Sequence, residues 1–238
     1  MIEAVVFDLD GVIVDSEQLW NEVREQLARE RGGRWHDRAQ RDMMGMSSVE
    51  WSRYMHDVIG LAETPEEISA EVVRRMLGRY RERLPLLPGA VEAVRRVAGR
   101  WRLGLASSAN REVIDVVLAE SGLAPCFAVT VSSEEVENGK PAPDVYLEVA
   151  RRLGAAPERC VAVEDSRAGI RSARAAGMRV IATPNPHFPP DEETLALADV
   201  VLESVAQLTP ELVAPLSEKT TAEKTTAEKD TPSGSPHF

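Results

Sequence analysis

The chain has 238 residues, 43% of them hydrophobic, with a formal net charge of −11, enough apolar material for one sizeable domain with an insertion or for two modest ones. The acidic balance argues against nucleic acid as a partner, because phosphate-backbone binding needs clustered positive charge. No stretch approaches 18 apolar residues and the first residues run into a strand without a basic start or cleavage signal, so no membrane partner and a cytoplasmic location are expected.

Ala4 to Phe7 reads as a strand buried on both faces, short, β-branched and uninterrupted. It runs into Asp8-Leu9-Asp10-Gly11. Asp before Gly is a common turn former, but two carboxylates about 4 Å apart repel by roughly 4 kcal/mol at an effective dielectric near 20. A strand end that carries both calls for a cation. Helical spacing then covers 17–32 (Leu19, Trp20, Val23, Leu27), stopping at Gly32-Gly33, and further helices are predicted over 47–59 and 65–84, closed by Pro85 and Pro88. From residue 89 helices and short apolar strands alternate: helix 89–99, strand 102–106, helix 111–121, strand 127–131, helix 143–153, strand 160–163, helix 167–176 and strand 179–182. That alternation predicts an α/β domain with right-handed crossovers and a parallel sheet.

The first strand joins this sheet, so residues 16–84 are a helical insertion and residues 1–15 with 85–216 form the core. Composition marks the same division: 16–84 carries 12 Arg against 13 acids, the core 13 basic residues against 22 acids. Residues 217–238 repeat Lys-Thr-Thr-Ala-Glu and are expected to be disordered, having almost no side chain to offset ordering entropy. Cys126 and Cys160 lack metal-ligand spacing and read as reduced, packed thiols.

Three further strand ends carry chemistry. The strand at 102–106 leads into Ser107-Ser108-Ala109-Asn110 at a helix start, where hydroxyls and free backbone N–H groups can seat a phosphate; plain helix capping is the competing reading. Lys140, in Gly139-Lys140-Pro141, is the one lysine beside 24 arginines in residues 1–216. A chain that uses arginine nearly everywhere has kept the compact ammonium here. The strand at 160–163 ends in Glu164-Asp165-Ser166, and Asp165 could complete an oxygen site with Asp8 and Asp10. Magnesium fits such a site, since it prefers oxygen ligands and keeps waters that a phosphate can replace. Helix capping by Asp165 would not exclude this.

These motifs, in this order, resemble those of the haloacid dehalogenase superfamily, in its phosphatase branch with a helical cap after the first strand, over residues 1 to about 212. The resemblance implies a Rossmann-like parallel sheet core with an inserted α-helical cap domain. It implies Asp8 as nucleophile, Asp10 as general acid and base, and phosphate ligation by Ser107 and Lys140; Ser108 and Asn110 are phosphate-binding candidates from the helix start itself. It also implies Mg2+ held by Asp8, Asp10 through its carbonyl, and Asp165, with Glu164 in support. A dehalogenase has no need of the second carboxylate, so Asp10 favours phosphoryl transfer. The partner is then a small phosphorylated metabolite, acted on by a monomer.

Within that branch, phosphonate-cleaving relatives use a cap lysine, and 16–84 contains none. β-Phosphoglucomutases are the rival. They are similar around Gly45-Met46-Ser47-Ser48 but carry arginine where Ser48 stands, a residue suited to holding a second phosphate; Arg111 or Arg53 could substitute. The runs Asp15-Ser16-Glu17-Gln18-Leu19-Trp20 and Leu84-Pro85-Leu86-Leu87-Pro88-Gly89 look more like sugar- and hexitol-phosphate phosphatases. A catalytically idle phosphate-ligand binder is the alternative from another class. Of the histidines, His36 and His56 lie in the cap, and His187 follows the last strong strand, where it could gate substrate.

Overall fold

A computed structural model describes residues 1–44, 46–185 and 189–217. Its core is one parallel sheet of six strands: β1 (Ala4–Phe7), β2 (Arg102–Ser107), β3 (Phe127–Ser132), β4 (Cys160–Glu164), β5 (Arg179–Ala182) and β6 (Val200–Val201), in the order β3-β2-β1-β4-β5-β6. β1 lies at the centre, with Val5 opposite Leu103 on one side and Val161 on the other. All four of its residues are buried, as the uninterrupted apolar run requires. From β1 the chain goes to β2 on one flank and later to β4 on the other, so the sheet changes direction beside β1, where open α/β sheets bind ligands.

Between β1 and β2 the chain forms α1 (Glu17–Glu30), α2 (Ala39–Met43), α3 (Ser48–Tyr54), α4 (Pro65–Glu82) and α5 (Ala90–Ala98); the later crossovers are α6 (Arg111–Glu120), α7 (Asp144–Leu153) and α8 (Arg167–Ala175), with short α9 (Glu192–Leu195) and α10 (Pro210–Val213) near the end. Helices α1 to α4 form the inserted cap. Local chemistry sets their ends: Thr64 caps α4, with Glu67 returning to the Thr64 N–H at 2.9 Å and Pro65 in the first turn, and Ser47 with Glu50 does the same for α3. The predicted helix over 47–59 is α3 continued by a π-helical turn, Met55–Ile59, ending at left-handed Gly60.

Two antiparallel connections tether the cap. Asp15 N–H donates to the Pro85 carbonyl at 2.8 Å and Leu87 N–H to the Ile13 carbonyl at 2.9 Å, so entry and exit run side by side.

The sheet buries two unlike faces. Val5, Phe7, Leu103, Leu105, Val161 and Val163 form a bulky face continuous with α5, α6 and the cap interior. The other side presents Ala4, Val6, Ala106 and Ala162 to Val145, Tyr146, Val149 and Leu153 of α7 and to Ile170 and Ala173 of α8. Small residues there let α7 approach closely. Gly104 is the extreme case: a Cβ would overlap Val149 Cγ1 and lie 3.1 Å from Leu153 Cδ1. Gly104→Ala should therefore lower stability by about 1–3 kcal/mol through overpacking. Urea denaturation reads this directly, and an unchanged midpoint would show that α7 can shift without loss.

Sequence patterning foretold five of the strands and every helix of nine residues or more. It missed α2, α9, α10 and the two-residue β6, because elements this short span too little chain to show a period. The tail at 218–238 and His187 lie outside the described residues.

Candidate active site

Asp8 follows β1, Ser107 ends β2, Lys140 lies between β3 and α7, and Glu164 ends β4 with Asp165 next. All sit at the carboxyl edge of the sheet. The Lys140 ammonium donates to Asp8 Oδ1 at 2.7 Å, to Glu164 Oε1 at 2.6 Å and to the Ala106 carbonyl at 3.1 Å. Three donors meet three acceptors. Its side chain is only 4% exposed, and the Tyr146 ring lies 5.1 Å away while the Tyr146 hydroxyl donates to Glu164 Oε1 at 2.8 Å.

Glu164 is committed on both oxygens. Oε2 accepts from the Asp165 N–H at 3.0 Å, the Ser166 N–H at 3.2 Å and the Ser166 hydroxyl at 3.1 Å. A Cβ at Gly169 would overlap this carboxylate, so the helix start must be glycine for Glu164 to fit. Asp165 is the opposite case. It is buried, and among the described residues no hydrogen-bond donor reaches its carboxylate. Gly11, at φ +81°, makes room for it, since a Cβ there would overlap Asp165.

Oxygens of Asp8, Glu164 and Asp165 lie within 4.8 Å of one another. Three carboxylates face one ammonium, so the buried group has surplus negative charge. Its titration shows the strain: burial pushes Asp8 up to about 8, against the pull of Lys140 and with help from Glu164 and Asp10. Burial, Glu164 and Asp8 also hold Asp165 well above the ordinary carboxylate range. Burial would lower Lys140, but the Asp8 and Glu164 charges outweigh it and raise it. The donor set is all oxygen and lacks positive charge, so it fits a hard divalent cation, with Asp8 and the undonated Asp165 as the carboxylates free to bind one.

The Asp10 carboxylate is held differently. Its Oδ1 accepts from the Ser16 hydroxyl and from the Trp20 indole N–H at 3.3 Å, both at the start of the cap. Burial raises its pKa despite those donors. Ser107 is fully buried and its hydroxyl accepts from the Ala109 N–H at 3.0 Å, while Ser108 lines the cavity beside it. Asn110 joins cap to core, accepting from the Ser48 hydroxyl at 2.7 Å and donating to Glu134 at 2.6 Å. The cavity is about 880 Å³, bounded by Asp8, Asp10, Lys140 and Asp165 below and by cap residues including Glu17, Trp20 and Trp51 above.

Residues 2–177 match the model of the haloacid dehalogenase-like hydrolases. The chain belongs to that family. It is 35% identical to hexitol phosphatase B of Escherichia coli (strain K12), over 87% of this chain and 95% of that protein. It is 34% identical to a phosphorylated carbohydrates phosphatase of Thermotoga maritima, over 76% and 84%. In structure it is similar to a β-phosphoglucomutase from Clostridium difficile, with a TM-score of 0.80 and 25% identity over 93% of this chain and all of that one.

Sequence reasoning missed Tyr146 and the cap residues Ser16 and Trp20 as parts of the site. Tyr146 falls on the apolar face of a helix, where an aromatic residue signals core. Ser16 and Trp20 carry no motif of their own, and only folding brings them to Asp10. His36 meets the Tyr54 hydroxyl at 3.0 Å and His56 the Glu63 carbonyl at 2.9 Å, and neither lines the cavity.

The buried carboxylates make the stability of the fold depend on pH. Asp8 titrates near 8 in the metal-free fold against 3.8 ordinarily, so between those values the fold holds a proton that the unfolded chain has released. Metal-free stability should fall as pH rises through that window. A divalent cation needs the ionised carboxylates. Mg2+ should accordingly raise Tm more at about pH 8 than at about pH 6, and Asp165→Asn should remove most of the shift. An equal shift at both pH values would place the ion elsewhere.

Proposed function

We propose that the protein is a Mg2+-dependent phosphatase that hydrolyses a small phosphomonoester, a sugar or polyol phosphate, through an aspartyl-phosphate on Asp8. Residues 1–15 and 85–216 form its catalytic core and residues 16–84 its cap. The observation that carries this reading is the Asp8–Lys140–Asp165 group with a second carboxylate, Asp10, held next to it on separate donors. Two carboxylates in unlike surroundings suit two unlike tasks.

Lys140 holds Asp8 Oδ1, which fixes the carboxylate and leaves Oδ2 without a donor among the described residues. Asp8 attacks phosphorus as the bond to the leaving oxygen breaks. Asp10, whose raised pKa favours the protonated acid, gives its proton to the departing alkoxide. Once ionised, it takes a proton from the water that attacks the phosphoryl group on Asp8, releasing inorganic phosphate and restoring both carboxyls. Mg2+, held by Asp8, Asp165 and the Asp10 carbonyl, would supply positive charge that offsets repulsion between Asp8 and the phosphoryl oxygens. Glu164 acts by anchoring Lys140, and Ser108 with the turn at Ala109-Asn110, which line the cavity, and Ser107 behind them supply the phosphate seat.

The names of the carbohydrate and hexitol phosphatase relatives support the substrate class. Against a mutase stands Ser48, where the resemblance puts arginine in mutases; its hydroxyl is spent on Asn110. Arg111 is tied to Thr130 and Glu135, and neither it nor Arg53 lines the cavity; Arg24 does line it, from α1, so an oxyanion site alone does not separate the two activities and the product must. Incubation of a sugar-phosphate panel with Mg2+ tests the reading. Free phosphate is expected, whereas conversion of β-glucose 1-phosphate to glucose 6-phosphate without release would establish the mutase.

Asp8→Asn should abolish turnover with the fold intact, because the amide is a poor nucleophile and metal ligand. More than a few per cent of residual activity in a clean preparation would remove Asp8 from that role. Lys140→Arg should fail nearly as badly as Lys140→Ala, since a planar guanidinium cannot place three donors on Asp8, Glu164 and the Ala106 carbonyl. The expected loss in kcat/KM is about a hundredfold, on the order of 3 kcal/mol. An arginine variant that kept most of its activity would reduce Lys140 to a nearby charge.

A further inference from the structure

Arg24 is an arginine with a fixed plane and no carboxylate in contact with it among the described residues. It lies on α1, is 6% exposed and lines the cavity. Its guanidinium sits 5.5 Å from the ring centres of both Trp20 and Trp51, and its Nε donates to the Trp20 carbonyl at 3.2 Å. Among the described residues its terminal nitrogens have no acceptor and no carboxylate comes within 4.0 Å. Glu17, on the same face of α1 and also lining the cavity, acts on it only through space, as does Asp10.

Glu17 and Asp10 offset part of the charge from a distance, but the terminal nitrogens of a buried guanidinium without acceptors are costly, and that cost is recovered when an oxyanion arrives. The two indoles have already fixed the guanidinium, so little freedom is lost on binding. Trp20 also fixes the direction: its indole N–H is on Asp10 and its ring is under Arg24. A leaving group that takes its proton from Asp10 therefore runs along Trp20 toward the guanidinium.

We propose that Arg24 reads the leaving group, and that the substrate carries a second oxyanion, a carboxylate or a second phosphate, at the end remote from the phosphoryl group transferred to Asp8. This rests on the phosphatase reading above and narrows it. A guanidinium fork donates two parallel hydrogen bonds to either oxyanion, whereas a single neutral hydroxyl cannot fill both prongs.

Two matched pairs test it: gluconate 6-phosphate against glucitol 6-phosphate, which differ only in a terminal carboxylate, and fructose 1,6-bisphosphate against fructose 6-phosphate. Phosphate release by the wild type should favour the anionic member of at least one pair by about tenfold or more in kcat/KM, and the pair that does so tells carboxylate from phosphate. In Arg24→Gln that ratio should fall toward one, and Arg24→Lys should restore it only in part. Because the readout is a ratio within each variant, a general loss of activity does not imitate it. Calorimetric binding of the same four compounds to Asp8→Asn protein reads the preference without turnover. If no compound released phosphate, the phosphatase reading would fail while the binding ratio still judged Arg24. Equal or better use of the neutral member in both pairs, or a preference unchanged in Arg24→Gln, overturns the proposal.

Discussion

A lysine with three protons and three buried acceptors is the point from which the rest of this structure can be understood. Lys140 draws Asp8 from the end of β1, Glu164 from the end of β4 and the Ala106 carbonyl from β2 to one atom. Removing Lys140 would leave the buried carboxylates without their ammonium, at a cost of about 3–5 kcal/mol. The strand order makes the meeting possible, because β1 has β2 and β4 on its two flanks. The small residues on one face of the sheet let α7 come close enough for Tyr146 to reach Glu164.

The same cluster is stable as a fold yet incomplete in charge. One ammonium does not balance three carboxylates, and burial first, with the neighbouring carboxylates adding to it, makes both Asp8 and Asp165 resist ionisation. The fold tolerates this with two glycines: Gly11 and Gly169 clear space for the Asp165 and Glu164 carboxylates. A site held short of positive charge is poised for a cation and for the chemistry that a cation assists.

The cap supplies what the sheet edge lacks. Its first helix holds Asp10 through Ser16 and Trp20, so the acid is oriented by a segment separate from the one that orients Asp8. Ser48 ties the cap to Asn110 on the core, and the paired connections at 13–15 and 85–87 fix the hinge. On the proposed mechanism, leaving-group recognition and proton donation would share one helix, since Trp20 touches both Asp10 and Arg24.

Most of the architecture was legible in the chain itself, for a physical reason. Buried parallel strands must be apolar throughout and crossover helices must be periodic, so β1 to β5 and the long helices announce themselves, and the carboxylates at strand ends stand out against that background. Lys140 stood out because its neighbours in composition are arginines. Side-chain roles that depend on distance were not legible. Glu164 read as a support for the metal, and it does stand in the carboxylate cluster with Asp8 and Asp165, but that its oxygens also hold Lys140, Tyr146 and the turn at Ser166 was not legible. Asn110 read as a phosphate ligand; it lines the cavity, but that its amide oxygen takes the Ser48 hydroxyl of the cap and its amide nitrogen goes to Glu134 was not legible. Arg24 was one arginine among twelve in the cap, and nothing in its neighbours along the chain distinguishes it. The sequence alone determined which groups stand at the sheet's active edge, because periodicity and burial are local properties. Only the tertiary structure decided which of them face one another, because Trp51 and Asp10 reach Arg24 and Trp20 from other segments of the chain, and a linear pattern carries no record of such distances.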